Sequence, residues 1–361
     1  MIATPRRVEL SLGARSHAIL IGDGLLGQLA DLLPADLLAA PLVLVADAGV
    51  PDSIVAPVRR LIQPRLALEL PIIGGERAKS WESAGEILAR LIEVRLPREG
   101  AIVALGGGAL GDLAGFCAAV YQRGVPIVQL PTTLLAQLDS AVGGKSAVNH
   151  GGMKNLVGAI AQPRLVVADT SALATLPPAE RWSGLGEVAK YALLDPTSVW
   201  PLIEGRLEAL AGNADPAAWP ALVEACVRIK VRAVEADERE GSTRAALNLG
   251  HTLGHALEAA ADGRLSHGLA VVLGLRAALR LSLRAGLLPE AEFERALALL
   301  APFPAEPPSL DAARIREALL HDKKRTAQGL RFVLLRGLGR PELIPDLPER
   351  WIDDEIERAR G

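Results

Sequence analysis

The sequence predicts an α/β fold in two parts: a mostly parallel sheet covered by helices over residues 1–176, followed by a mainly α-helical part over residues 177–361. Three observations predict it. Five short runs rich in valine, leucine and isoleucine alternate with helical stretches up to about residue 170, and strands apolar on both faces belong to a parallel sheet covered on both sides. From Leu176-Pro177-Pro178 onward the apolar spacing changes to the three-and-four pattern of amphipathic helices. With 361 residues, 50% hydrophobic and 22% charged, the chain has material for about two domains with substantial cores.

In order, the strands are LVLVAD (Leu42–Asp47), LALELPI (Leu66–Ile72), AIVAL (101–105), PIVQL (126–130) and RLVVAD (164–169). AIVAL runs into Gly106-Gly107-Gly108-Ala109-Leu110-Gly111-Asp112 and then into the helix-like LAGFCAAVY. Residues 139–155, DSAVGGKSAVNHGGMKN, hold one carboxylate, two lysines and four glycines, a composition expected of a charged loop. In the second part, 182–195, 219–240 and 269–285 have helical spacing. Arg276, Arg280 and Arg284, four residues apart, are expected to form a solvated helix face. Residues 302–308 form a proline-rich linker, and LRFVLL with its flanking glycines predicts a small strand or hairpin within 321–339.

The charge balance limits the partners. With 39 basic and 42 acidic residues, no general cationic field exists to hold a nucleic-acid backbone or an anionic membrane, so any anionic partner is small and gripped locally. The longest uncharged stretch, 124–138, has 15 residues, where a spanning helix needs about 20 mostly apolar ones. The opening MIATPRRVELSLGARSH places Glu9, Arg15 and His17 where an export signal would need its apolar core. Cys117 and Cys226, each among alanine and valine, are expected as buried free thiols in a reducing cytoplasm.

Three constellations carry chemistry. The glycine turn opens a helix, and backbone amides there point at an anion with no side chain blocking its approach. It contains GxGxxG, but PIVQL runs into Pro131-Thr132-Thr133 and lacks the acidic end of a dinucleotide fold. Asp47, closing an earlier strand, is the available acid for a ribose hydroxyl; a diphosphate site and a plain tight turn both fit. The 139–155 segment fits a surface turn, or a loop gripping phosphate or carboxylate through Lys145 and Lys154. Of six histidines, His251, His255 and His267 fall within 17 residues. The first two stand at i and i+4 on one helix face, a spacing that offers two imidazoles to one cation. A zinc-like ion takes about three protein ligands, commonly with a carboxylate, and Glu258, Glu187 and Asp237-Glu238 are the candidates. Glu187 and Lys190, at i and i+3, form by themselves an intrahelical ion pair.

The segments GGERAKSWES, ALGGGALGDLAGFCAAVYQRGVPIVQLPTTLLAQLDSAVGGKSAVN, KNLVGAIAQP, GLGEVAKYALL, DERE, LNLGHTLGHALE, SHGLAV and DKKR resemble, in order, the motifs of the 3-dehydroquinate synthase family of the shikimate pathway. PTTLLAQLDSAVGGK and GHTLGHALE are the most specific blocks. The resemblance implies an N-terminal Rossmann-like NAD-binding α/β domain (1–176) and a helical metal- and substrate-binding domain (177–361). It further implies a cytoplasmic homodimer with tightly held NAD and one divalent metal, zinc or cobalt, per subunit. The implied substrate is the sugar phosphate 3-deoxy-D-arabino-heptulosonate 7-phosphate, giving 3-dehydroquinate and phosphate.

Matched residue by residue, the resemblance puts the metal on Glu187, His251 and His267, which moves His255 from the helical-spacing ligand pair into the substrate pocket. The other substrate contacts would be Asp139, Lys145, Asn155, Lys190, Lys230, Arg244, Asn248 and one or both of Lys323 and Lys324, with Arg123 reaching phosphate from the neighbouring subunit. NAD would be held by Asp47, Glu76, Lys79, Gly107, Gly108, Asp112, Thr132, Thr133, Lys145, Lys154 and Thr175. The chain departs from the family at Leu269, where HGEAV has an acid that can orient a ligand, and at Gly152-Met153, which stand for proline and glycine. Competing functions are another sugar-phosphate cyclase of secondary metabolism and a metal- and NAD-dependent polyol or glycerol-phosphate dehydrogenase.

Overall fold

Among the described residues, nine strands form in the first part of the chain: β1 (Arg6–Leu10), β2 (His17–Gly22), β3 (Leu42–Asp47), β4 (Leu66–Ile72), β5 (Ala101–Gly106), β6 (Ile127–Pro131), β7 (Lys145–His150), β8 (Met153–Ile160) and β9 (Leu165–Asp169). The computed structural model describes residues 4–151, 153–239, 243–306, 309–325, 330–345 and 347–359. Seven strands make one sheet in the order β1-β2-β9-β6-β5-β3-β4. All neighbours are parallel except β1 with β2. The five strands expected from apolar runs are β3, β4, β5, β6 and β9. The residues of β3, β5, β6 and β9 are largely apolar on both faces because two cores flank the sheet, one built on Leu42, Leu44, Val103 and Val128 and the other on Val43, Val45, Ile102 and Ile127, whereas the edge strand β4 is only partly buried and carries Glu69.

Residues 139–155 differ from the charged loop that their composition suggests. Lys145–His150 and Met153–Ile160 pair antiparallel, with Val148 opposite Val157. The reason lies in alternation: Ser146 and Val148 face inward along β7 while Lys145 and His150 stay exposed, and Gly151 at φ +60 makes the turn. Gly152 lies outside the described residues.

The chain divides into two compact units, Met1–Pro177 with Asp215–Glu235, and Pro178–Ala214 with Ala236–Gly361. A single boundary near 176 therefore describes the order of the chain but not its packing, because 215–235 returns to the first unit. Contacts within that unit explain the return. On the helix Trp219–Ala236, Glu224 pairs with Arg6 at 2.6 Å, and nearby Glu235 accepts the Ser11 amide at 2.7 Å.

The second unit contains the helices Pro178–Leu194, His251–Ala261, His267–Arg284 and Glu349–Ala359 and a hairpin of β10 (Arg331–Leu335) with β11 (Pro341–Pro345). The arginine stripe on His267–Arg284 is not a solvated face. Arg276 donates to the carbonyls of Leu300 and Ala305, Arg280 pairs with Glu355 at 2.5 Å, and Arg284 pairs with Asp354 and lies 4.7 Å over the Trp351 ring. Helical spacing gives the stripe; the C-terminal helix that covers it is too remote in sequence to be read from spacing. No helix among the described residues is long and apolar enough to cross a membrane. Cys117 and Cys226 are both buried and free.

Candidate functional site

Three helices of the second unit bring their polar residues together through glycine. Gly186 precedes Glu187, Gly250 precedes His251 and Gly268 follows His267. An added Cβ at Gly186 would stand 2.2 Å from the Gly268 carbonyl oxygen, and one at Gly268 would stand 1.7 Å from the Ser183 carbonyl oxygen. The backbones of Pro178–Leu194 and His267–Arg284 thus touch where the functional side chains leave them. Gly250, in the left-handed region at φ +77, ends the preceding turn and starts the His251 helix.

Glu187 is fully buried, and its Oε1 lies 3.3 Å from His251 Nε2 and 3.2 Å from His267 Nε2. Behind each ring the second nitrogen is held: His251 Nδ1 is 3.1 Å from the Leu249 carbonyl and His267 Nδ1 is 2.8 Å from Glu258 Oε2. Donors about 2.1 Å from a tetrahedral ion are about 3.4 Å from one another, so Glu187 stands from each ring at close to the spacing that such an ion needs. The donor atoms of His251, His255 and His267 also lie within 4.8 Å of one another, so all three imidazoles line one point. Glu258, a candidate ligand from sequence, faces the Nδ1 side of His267, while Glu187 faces Nε2.

Electrostatics follow from this crowding. Burial disfavours the Glu187 carboxylate, yet Lys190 and the two rings hold it well below the usual range. Lys190 Nζ is 2.5 Å from Glu187 Oε2, so the expected i, i+3 pair exists, and both side chains are almost wholly buried. His255 is pushed down to about 3 by burial and by the neighbouring charges of His251 and His267, which keeps it neutral. Burial works against charge on His267, but the hydrogen bonds of Glu187 and Glu258 lift it to about 10. Arg244 is buried, donating to the Glu238 carbonyl at 3.0 Å, and Asn248 closes the same turn, Thr243–Asn248. Lys323 and Lys324 lie on Ala312–Arg325, but their side chains fall outside the described residues.

The first unit gathers a second group around the glycine turn. Gly107 is the N-cap of Gly108–Val120, which carries Asp112. Lys79 hydrogen-bonds both Asp112 and Asn155, joining two residues expected at NAD to one expected at substrate. Burial pushes the Asp112 carboxyl up against the opposing pull of Lys79. Asn149, absent from the sequence-derived set, donates to Glu76 at 2.8 Å and accepts the Asn155 amide at 3.0 Å; only its place beside Lys145 in one strand hinted at a role. Asn155 itself sits at φ +57. A cleft here is lined by Gly107, Gly108, Asp112, Gln129, Ser140 and Lys145.

Asp47 ends β3 and accepts the Gly49 amide at 2.8 Å. Thr132 and Thr133 follow directly from the glycine-turn side of β6, with the Thr132 amide donating to Gly106 and Thr133 Oγ1 accepting from Ala136. Thr175 turns back onto the Ala172 carbonyl, and Lys154 is exposed on β8. Asp139 is bonded by Lys230 through both its carboxylate and its backbone carbonyl. Arg123 is exposed at φ +64, next to Gln122 at φ +48, and no ion-pair partner faces it among the described residues.

Residues 69–183 match the family described as 3-dehydroquinate synthase N-terminal and residues 184–325 match 3-dehydroquinate synthase C-terminal. The 3-dehydroquinate synthase of Halorhodospira halophila is 44% identical over 355 residues, covering 96% of this chain and 98% of that one. Among solved structures, a 2-deoxy-scyllo-inosose synthase complexed with carbaglucose-6-phosphate, NAD+ and Co2+ superposes with a TM-score of 0.89 at 28% identity, covering 98% and 100%. A 2-epi-5-epi-valiolone synthase from Streptomyces hygroscopicus with NAD+ and Zn2+ bound gives 0.86 at 27%, covering 97% and 98%.

Proposed function

We propose that this chain, which belongs to the 3-dehydroquinate synthase family, converts 3-deoxy-D-arabino-heptulosonate 7-phosphate to 3-dehydroquinate and phosphate, with NAD and one zinc or cobalt ion per subunit. The observation that carries the proposal is the single oxygen of buried Glu187 at 3.2 and 3.3 Å from two imidazole nitrogens. A bound ion supplies a Lewis acid for the substrate alcohol, and NAD supplies a reversible hydride acceptor.

The C–H next to the phosphate-bearing carbon is too weak an acid to react near neutral pH, and transient oxidation of the adjacent alcohol to a ketone acidifies it. The acidified proton and the phosphate then leave, the ketone is reduced again, and the ring opens and recloses by an intramolecular aldol step. Glu187, His251 and His267 hold the ion. Lys145, Lys190, Lys230 and Arg244 neutralise carboxylate and phosphate, fixing one substrate pose through every step. His255, kept uncharged by its surroundings, exchanges hydrogen bonds with substrate hydroxyls or phosphate without adding charge. Asp139, Asn155 and Asn248 orient the hydroxyls, and Lys323 or Lys324 adds a contact to substrate. The glycine turn and Asp112, Thr132, Thr133, Lys154 and Thr175 hold NAD, with Asp47, Glu76 and Lys79 beside them. The protein works in the cytoplasm as a homodimer in which Arg123 of one subunit grips the phosphate bound by the other, as a planar guanidinium does bidentately.

The test is phosphate release from 3-deoxy-D-arabino-heptulosonate 7-phosphate, before and after chelation and after restoring zinc. Release that stops with chelator, returns with metal and leaves no net NADH supports the reading. Stoichiometric NADH moves the protein to the dehydrogenases, and inactivity on this substrate with turnover of a hexose phosphate moves it to another cyclase.

A further inference from the structure

We infer that Glu258 is a positioning residue for His267, its carboxylate holding the proton on Nδ1 so that Nε2 is the nitrogen presented beside Glu187. The inference rests on the metal-site reading above and extends it to a residue outside the three ligands. His267 Nδ1 is 2.8 Å from Glu258 Oε2, while Nε2 is 3.2 Å from Glu187 Oε1. A neutral imidazole carries one N–H and one lone pair, and an ionised carboxylate only accepts. With Glu258 holding the Nδ1 proton, it is the Nε2 proton, facing Glu187, that gives way to an ion.

His251 is arranged in the same sense, with the Leu249 carbonyl behind Nδ1 and Glu187 in front of Nε2. The two rings thus approach one oxygen with the same nitrogen. Their supports differ: a backbone carbonyl two residues away is fixed by the chain, whereas Glu258 is a side chain from another helix. Glu258 lies on His251–Ala261, seven residues after His251, and His267 opens the following helix. The hydrogen bond consequently ties together the two helices that carry the histidine ligands.

The experiment uses the full-length protein stripped of metal, with Glu258→Ala, Glu258→Gln and His267→Ala variants. Zinc affinity is measured by competition with a chromophoric chelator, and melting of the metal-free form is followed by circular dichroism. Glu258→Ala is expected to weaken zinc by about 10- to 100-fold with little change in metal-free melting, and Glu258→Gln, which keeps an acceptor oxygen, regains most of the affinity. In zinc-loaded wild type with ¹⁵N-labelled histidine, the ring whose signals vanish in His267→Ala should be protonated at Nδ1 and unprotonated at Nε2. That measurement needs no Glu258 variant to fold. Zinc binding unaffected by His267→Ala overturns the metal-site reading itself. Zinc lost in His267→Ala but held within twofold of wild type by Glu258→Ala, or a proton found on Nε2 of His267, overturns the role of Glu258 and leaves the site reading standing.

Discussion

Replacing Gly268 by alanine should damage metal binding without touching any ligand. The new Cβ would stand 1.7 Å from the Ser183 carbonyl oxygen, and an ordinary contact of 3.4 Å requires a local opening of about 1.7 Å, since a packed interior offers no room to absorb it. Ser183 is one helical turn before Glu187, on the same face, and Gly268 adjoins His267. The opening therefore acts on the 3.2 Å separation between Glu187 Oε1 and His267 Nε2. Metal–donor distances tolerate about ±0.2 Å, so transmission of even a quarter of the opening exceeds the tolerance. Overpacking of this kind costs about 1–3 kcal/mol, which lowers the melting temperature of the metal-free protein. A second loss follows: metal at 100 times its dissociation constant stabilises the wild type by about 2.7 kcal/mol, and at the same metal concentration the variant should gain far less. Melting with and without zinc, alongside chelator competition, measures both. Gly85→Ala is the control, because Gly85 is exposed on the helix Trp81–Glu93 with nothing within 4 Å of an added Cβ. Zinc affinity within twofold of wild type in Gly268→Ala would refute the claim that close backbone approach sets the ligand geometry.

His267→Ala and Glu187→Gln should lose metal and turnover together while the chain stays folded, whereas His255→Ala should keep stoichiometric metal and lose rate. Elemental analysis decides, and a metal-free His255→Ala would restore the helical-spacing pair as ligands. Arg123→Ala mixed with His251→Ala under subunit exchange should regain activity, since one site of each heterodimer has neither defect; confirmed heterodimers as inactive as their parents would show that Arg123 does not act across subunits. Burial pushes the Cys117 thiol up to about 12, and Cys226 is buried as well. The native protein should therefore release no chromophore with a disulfide reagent at pH 8 and two equivalents when denatured, and fast labelling of either thiol would contradict the packing.

The strands that carry the glycine turn were legible because both their faces are buried, which writes them as continuous apolar runs. The separate hairpin β7–β8 was hidden by its glycines and lysines, for partly exposed strands keep the polar composition of loops. The histidine pair on one helix could be seen from spacing, since a helix fixes neighbours at i and i+4. Sequence alone placed Glu187 among four possible carboxylates, and the family motifs narrowed the choice. Only packing sets one Glu187 oxygen against both rings and assigns Glu258 to the far side of His267. The same division holds for Lys230 and Asp139, 91 residues apart and bonded in the first unit, and for Arg280 with Glu355 in the second. Local periodicity is dictated by backbone geometry and is written along the chain. Which distant polar groups share a buried space is decided by how the elements within each unit pack, because a buried charge without a neighbour on its own helix, as Glu187 has in Lys190, must find its partner on another element.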